Sequence, residues 1–205
     1  MTEKVYDQMS ARTRQLLKDV LVELIEEKGF DGITIKDLTA KAELNRGTFY
    51  LHFRDKYDLL EQVQVELLHG FDEVIQQIKP YEIIESITKK QPYPVLIRIL
   101  QYLKNHGRFF KVLLGPKGDP AFPKKMKEMI RTNFYNKVIK PQTSNNDLDS
   151  IVQDYLPSIG TSAIFGLIEH WLETDMPHSP EEMATVYLKI IHFIGGQTKQ
   201  MNLKS

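Results

Sequence analysis

Apolar positions along this chain recur at helical spacing, and the breaks between the runs mark where helices end. Leu17, Val20, Leu21 and Leu24 put one apolar stripe on a first helix from about Ser10 to Lys28, which Gly29 stops. Ile35, Leu38, Thr39 and Ala42 repeat the period over a short second helix. Thr34 stands just before it, and Asp37 three residues on can reach back to the free amides of the first turn, a capping-box start. Leu44 plugs the corner that follows, and Asn45 is a good N-cap for a third helix carrying Arg46 to His52. Phe49 and Phe53, one turn apart, share its buried side. Gly47, Thr48, Tyr50 and Leu51 then point away from that side, with Arg46 and His52 at its edges. A solvated helix face would carry Glu or Lys there, whereas glycine and hydrogen-bonding groups suit close approach to phosphates and base edges. Two short helices joined by a tight turn are one way in which proteins place side chains in a DNA groove.

The pattern continues into a larger second part. Leu60, Val63, Leu67, Phe71, Val74 and Ile78 keep one period over several turns, so a long fourth helix links head to body and ends near Pro80. After a polar stretch from Lys89 to Pro94, Val95, Ile99 and Leu103 predict one helix and the run Phe109 to Leu114 another. Gly115-Pro116-Lys117-Gly118-Asp119-Pro120 reads as a loop, Phe122 to about Ile139 as a helix, and Gln142 to Asn146 as a polar connection. Leu148, Ile151, Val152, Tyr155, Ile159, Ala163, Leu167 and Trp171 form one more stripe, beside small residues Gly160, Ala163 and Gly166 that permit close helix approach. From Met183 to Ile194 apolar residues run nearly all round the helix, which suits an element covered on two sides, the second cover being another protomer.

Length and charge narrow the possibilities. The 205 residues are 41% hydrophobic, enough for one large domain or for a small one with a larger one. The formal net charge is +0, so attraction to nucleic acid must come from local charge. Residues 33–56 supply it, with Lys36, Lys41, Arg46, Arg54 and Lys56 against Asp37, Glu43 and Asp55. The absence of cysteine excludes disulfides, thiol redox sensing and thiolate metal sites. No signal segment opens the chain and no apolar run approaches about 18 residues, so a soluble cytoplasmic protein without a membrane partner is expected. His52, His69, His106, His170, His178 and His192 include no pair at metal-site spacing, and neighbours Glu169 and His170 point in different directions on a helix. No metal, cofactor or catalysis is expected.

Around the turn the sequence resembles the tetracycline-repressor (TetR) family of bacterial regulators. The match covers roughly residues 13–63, and its most specific part is Asn45-Arg46-Gly47-Thr48-Phe49-Tyr50-Leu51-His52-Phe53, followed by Lys56 and Leu59-Leu60. The resemblance implies an all-α protein, with a three-helix helix-turn-helix DNA-binding head over residues 1–55 and a helical effector-binding and dimerisation body over 56–205. It implies a homodimer paired through the last two helices, bound to a palindromic double-stranded DNA operator. Asn45, Arg46, Gly47, Thr48, Tyr50, Leu51 and His52 would face DNA, with Thr34 and Lys36 contacting it from the preceding helix and Lys56 holding a phosphate. One residue departs from the family pattern: Glu43 stands where the turn usually has Gly. In the body, aromatic and Met side chains are of the kind that line an apolar pocket. Phe109, Phe134, Phe165 and Trp171 are the candidate lining for an unidentified small-molecule effector, with His106 and His170 as polar anchors. A repressor released by such a ligand is the favoured reading. Its alternatives are a DNA-binding regulator or architectural protein with no effector, and a helical module whose head contacts protein.

Overall fold

The computed structural model describes residues 2–89, 91–143 and 150–201, and among these every regular element is a helix. In chain order they are α1 (Thr2–Lys28), α2 (Ile35–Lys41), α3 (Arg46–Tyr50), α4 (Lys56–Ile75), α5 (Pro80–Lys89), α6 (Pro94–Asn105), α7 (Gly107–Leu114), α8 (Phe122–Phe134), a π-helical turn (Tyr135–Ile139), α9 (Lys140–Thr143), α10 (Ser150–Glu173) and α11 (Pro180–Met201). None of the described helices is long and apolar enough to cross a membrane. The chain divides into two compact units: Met1–His69 with Arg108–Met126, and Gly70–Gly107 with Lys127–Ser205.

The first unit is built on the stripes read from the sequence. Leu17, Leu21, Ile25, Ile33, Leu38, Phe49, Phe53 and Leu59 are all but excluded from solvent. Burial of each such side chain contributes about 1.5 to 3 kcal/mol, which offsets the entropy of ordering helices too short to hold by themselves. The segment 108–126 belongs to this unit because it caps α1. Gly29 ends that helix at a φ of 77°, the left-handed conformation that glycine adopts without a Cβ clash. The Phe30 amide then donates to the Lys117 carbonyl at 3.1 Å, and the Lys117 ammonium donates to the Glu26 carbonyl at 2.6 Å. Arg108 forms an ion pair with Glu26 at 2.6 Å. Carbonyls that a helix end leaves without a donor are thus satisfied by the Gly115–Pro120 loop.

In the second unit α11 packs on α6, and Phe165, Ile168, Trp171 and Leu172 of α10 are buried. Several features differ from expectation. Helix α1 begins at Thr2 and not near Ser10, and Gln142 and Thr143, expected in a polar connection, are the end of α9. Helix α5 went unread, because its apolar set is short and its flanks are polar. The helix expected from Phe122 to Ile139 is regular only to Phe134, and the π turn then adds a residue per turn and changes which side chains share a face. The fourth helix ends at Ile75, followed by turn hydrogen bonds from Gln77 to Val74 and Ile78 to Ile75. Of the polar connection expected over Gln142 to Asn146, residues 144–146 lie outside the described residues, as do Leu148 and the side chains of residues 191–194.

Candidate nucleic-acid interface and apolar cavity

The α2–α3 corner is fixed by hydrogen bonds that the sequence encodes locally. The Thr34 amide donates to Asp37 Oδ2 at 2.8 Å, and the Asp37 amide donates to Thr34 Oγ1 at 3.2 Å, closing the capping box. The Lys28 ammonium, 2.7 Å from Asp37, and then the Thr34 hydroxyl and amide hold the Asp37 carboxyl well below the usual carboxylate range. Lys41 ties the end of α2 to α1 through Glu23 and Glu27. The turn passes through Glu43 at a φ of 55°, so this residue occupies the left-handed region where the family pattern has Gly. For a residue with a Cβ that conformation costs about 1 to 2 kcal/mol.

Asn45 precedes α3 in an extended conformation, but its side chain does not bond the first-turn amides, contrary to expectation. The Thr48 amide instead donates to the Asn45 backbone carbonyl at 2.9 Å, and the Asn45 side chain remains exposed. Phe49 and Phe53 fill the core with ring centroids 5.8 Å apart. On the other side Tyr50 is 52% and Leu51 75% exposed, flanked by exposed Arg46 and Gly47 and half-buried Thr48 and His52. A Cβ added at Gly47 would meet nothing within 4 Å. Glycine there serves no internal packing and leaves the outer surface low. Thr34 and Lys36 are also exposed, on and beside the start of α2. Burial, and secondarily the charge of Arg14, holds His52 below its ordinary imidazole value, so it is neutral near pH 7.

Lys56 is placed differently from a free phosphate clamp. Its ammonium donates to the carbonyls of Phe30, Asp31 and Ile33 at 3.0 to 3.1 Å, and it lies 4.8 Å from the centre of the Phe30 ring. Three donors meet three acceptors, so Lys56 staples the loop that leads into Thr34. Its effect on the α2 start runs through that loop.

The second unit holds an apolar cavity of about 140 Å³. Phe71 and Ile75 of α4, Ile99 and Leu100 of α6, Ile130 and Phe134 of α8, Ile168 of α10 and Ala184 of α11 are among its walls. Of the sequence candidates for a ligand site, Phe134 lines it. Phe165 and Trp171 are buried but are not among the lining residues, and neither is exposed His170. His106 packs on Tyr102 with ring centroids 4.5 Å apart, and burial pushes its imidazole down. Phe109 belongs to the first unit. Sequence reading missed Lys137 and Asn133, although Ile130, Asn133, Phe134 and Lys137 have the spacing of one helical face.

A third surface is apolar and open. Ile151, Tyr155 and Ile159 of α10 are about two-thirds exposed, and Ala163 and Gly166 continue their row, with exposed Val186 and Ile190 on α11. The two glycines differ in role. A Cβ at Gly160 would lie 2.8 Å from the Phe134 ring, so this glycine makes room for internal packing, whereas one at Gly166 would meet nothing within 4 Å.

The chain is similar in sequence and fold to known proteins. Residues 18–63 match the family described as bacterial regulatory proteins, tetR family, and residues 90–193 match one described as the transcriptional regulator C-terminal region. The chain is 22% identical over 168 residues to an uncharacterized HTH-type transcriptional regulator, YxbF, of Bacillus subtilis. That match covers 82% of this chain and 42% of the relative, so the chain spans less than half of that protein's length. A TetR transcriptional regulator from Streptococcus agalactiae is similar in fold, with a TM-score of 0.57 at 20% identity over 92% of this chain and 98% of that one. FadR from Bacillus subtilis, solved in complex with stearoyl-CoA, gives a TM-score of 0.59 at 13% identity over 86% and 96%.

Proposed function

The chain belongs to the TetR family of bacterial regulatory proteins, and from that premise we propose that it is a homodimeric repressor that releases a palindromic operator when a small, predominantly apolar molecule fills the cavity. Membership makes it a DNA-binding transcriptional regulator of a non-enzymatic family. The outer row Arg46, Gly47, Thr48, Tyr50, Leu51 and His52, with Thr34 and Lys36 beside it, is the surface offered to the major groove. Pairing is supported by the open stripe on α10 and α11, since apolar side chains that far out of a monomer's core mark a contact surface.

The observation that carries the effector reading is the cavity. A space of about 140 Å³ walled almost entirely by apolar side chains favours an apolar ligand. Helix α4 places Phe71 and Ile75 in the cavity wall and Leu59, Leu60 and Val63 in the core of the DNA-binding unit, so one helix serves both. Release requires a ligand that prefers the conformation with mis-spaced heads. A preference of about 1 to 3 kcal/mol changes operator affinity about 5- to 150-fold, and a ligand that binds both states equally changes nothing. The test selects duplexes from a random pool, then measures operator affinity with each compound that raises the melting temperature of the free protein. Release by cavity-binding compounds supports the reading. If every stabilising compound leaves operator affinity unchanged, the protein is a regulator without an effector.

A further inference from the structure

We propose that the cavity takes a small amphiphile with an anionic head, and that Lys137 recognises this head by exchanging the Gln76 carbonyl for it. The inference rests on the cavity being the effector site and adds the chemical class of the effector. Among the described residues that line the cavity, Lys137 is the only charged one, and none is Asp or Glu. A cationic ligand would therefore meet a like charge, whereas an anion would form a charge-assisted pair with it.

Two of the other polar groups at the cavity, Asn133 and Tyr93, are already committed. Asn133 donates to Asp72 Oδ1 at 2.8 Å and to the Met129 carbonyl at 3.0 Å, and it accepts from Gln76 Nε2 at 3.0 Å. The Tyr93 hydroxyl accepts from the Lys79 amide at 2.9 Å. The Lys137 ammonium donates to the Gln76 carbonyl at 2.9 Å and makes no ion pair among the described residues. A neutral carbonyl is a weaker partner for an ammonium than a carboxylate, so a ligand's anionic head can replace it.

That carbonyl lies just past the end of α4, where helices leave carbonyls that a nearby lysine can satisfy. Ile75 and Ile78, on either side of Gln76, are both cavity walls. When Lys137 turns to a ligand's carboxylate, the end of α4 loses a donor while the ligand's apolar part presses on the residues flanking it. Head recognition and movement of the α4 end are thereby one event. A cavity of this size matches the roughly 150 Å³ space known to hold benzene, which corresponds to a chain of about six to eight carbons.

The experiment titrates octanoate and octan-1-ol, at neutral pH, into the full chain and its Lys137→Met and Lys137→Arg variants by calorimetry, with melting curves to verify folding. The parent should bind octanoate about tenfold more tightly than octanol. Lys137→Met should lose that preference while still binding octanol, and Lys137→Arg should keep it. Equal affinities in the parent, or a preference that survives in Lys137→Met, overturn the anionic head and leave the cavity as an effector site. Binding of neither compound to the parent overturns both readings.

Discussion

At the scale of single residues, the proposed DNA-facing side of α3 offers two kinds of contact. Tyr50 presents a hydroxyl and Arg46 a guanidinium, the first suited to phosphate and the second to phosphate or a base edge. Tyr50→Phe should weaken binding to all duplexes alike, while Arg46→Ala should also blur base preference, each by about 1 to 3 kcal/mol in gel-shift titrations against selected and scrambled DNA. Unchanged binding by both folded variants would remove α3 from the interface. Glu43 offers a second test, because its left-handed φ of 55° is a conformation glycine adopts freely. Glu43→Gly should raise stability by about 0.5 to 1 kcal/mol in denaturant unfolding. It should also tighten DNA binding, by an amount that shrinks as salt rises, since a negative charge has left the turn.

Among the elements, α2 depends most on a single charged group. The Asp37 carboxyl, held low by Lys28 and Thr34, is a group whose folded value lies below its unfolded one of about 3.9. Its contribution is therefore present above that unfolded value and is lost as pH falls through the acid range toward the folded value. Asp37→Asn should melt lower than the parent at neutral pH, and the gap should narrow as pH drops below about 4. A gap that stays constant would show the capping box, which Asn mimics poorly, to act without its charge. Helix α1 illustrates the opposite dependence on distant sequence, since its C-terminal carbonyls are capped by Lys117 some 90 residues later. The head helices thus include a cap that their own stretch of sequence does not contain.

For the whole molecule, the open stripe on α10 and α11 sets the expected assembly. Gly166→Glu should place charge where a second copy would pack, lowering both the dimer fraction in sedimentation and the affinity for a two-site operator. Gly160→Ala should instead lower melting temperature with the dimer fraction retained, because its methyl group meets the Phe134 ring within the same unit. A parent protein that sediments as a monomer at micromolar concentration would remove the pairing proposal altogether.

The head was legible in the sequence because its information is local. The capping box at Thr34 and Asp37, the Phe49–Phe53 pair and the outer row from Arg46 to His52 follow from residue type and helical period within about twenty positions, and the structure places them so. Where local geometry had alternatives, the tertiary structure chose. Asn45 leaves its side chain outward because its own carbonyl takes the first amides, and Lys56 turns to the Phe30–Ile33 loop that folds back over it. The cavity lay beyond the reach of sequence. Periodicity marks Phe165, Trp171 and Phe134 alike as buried, but whether a buried face meets another side chain or an empty space depends on how helices far apart in the chain fit together. Of these three only Phe134 reaches the cavity, and Lys137, three residues on, reaches it from the same face although a lysine carries no apolar signal.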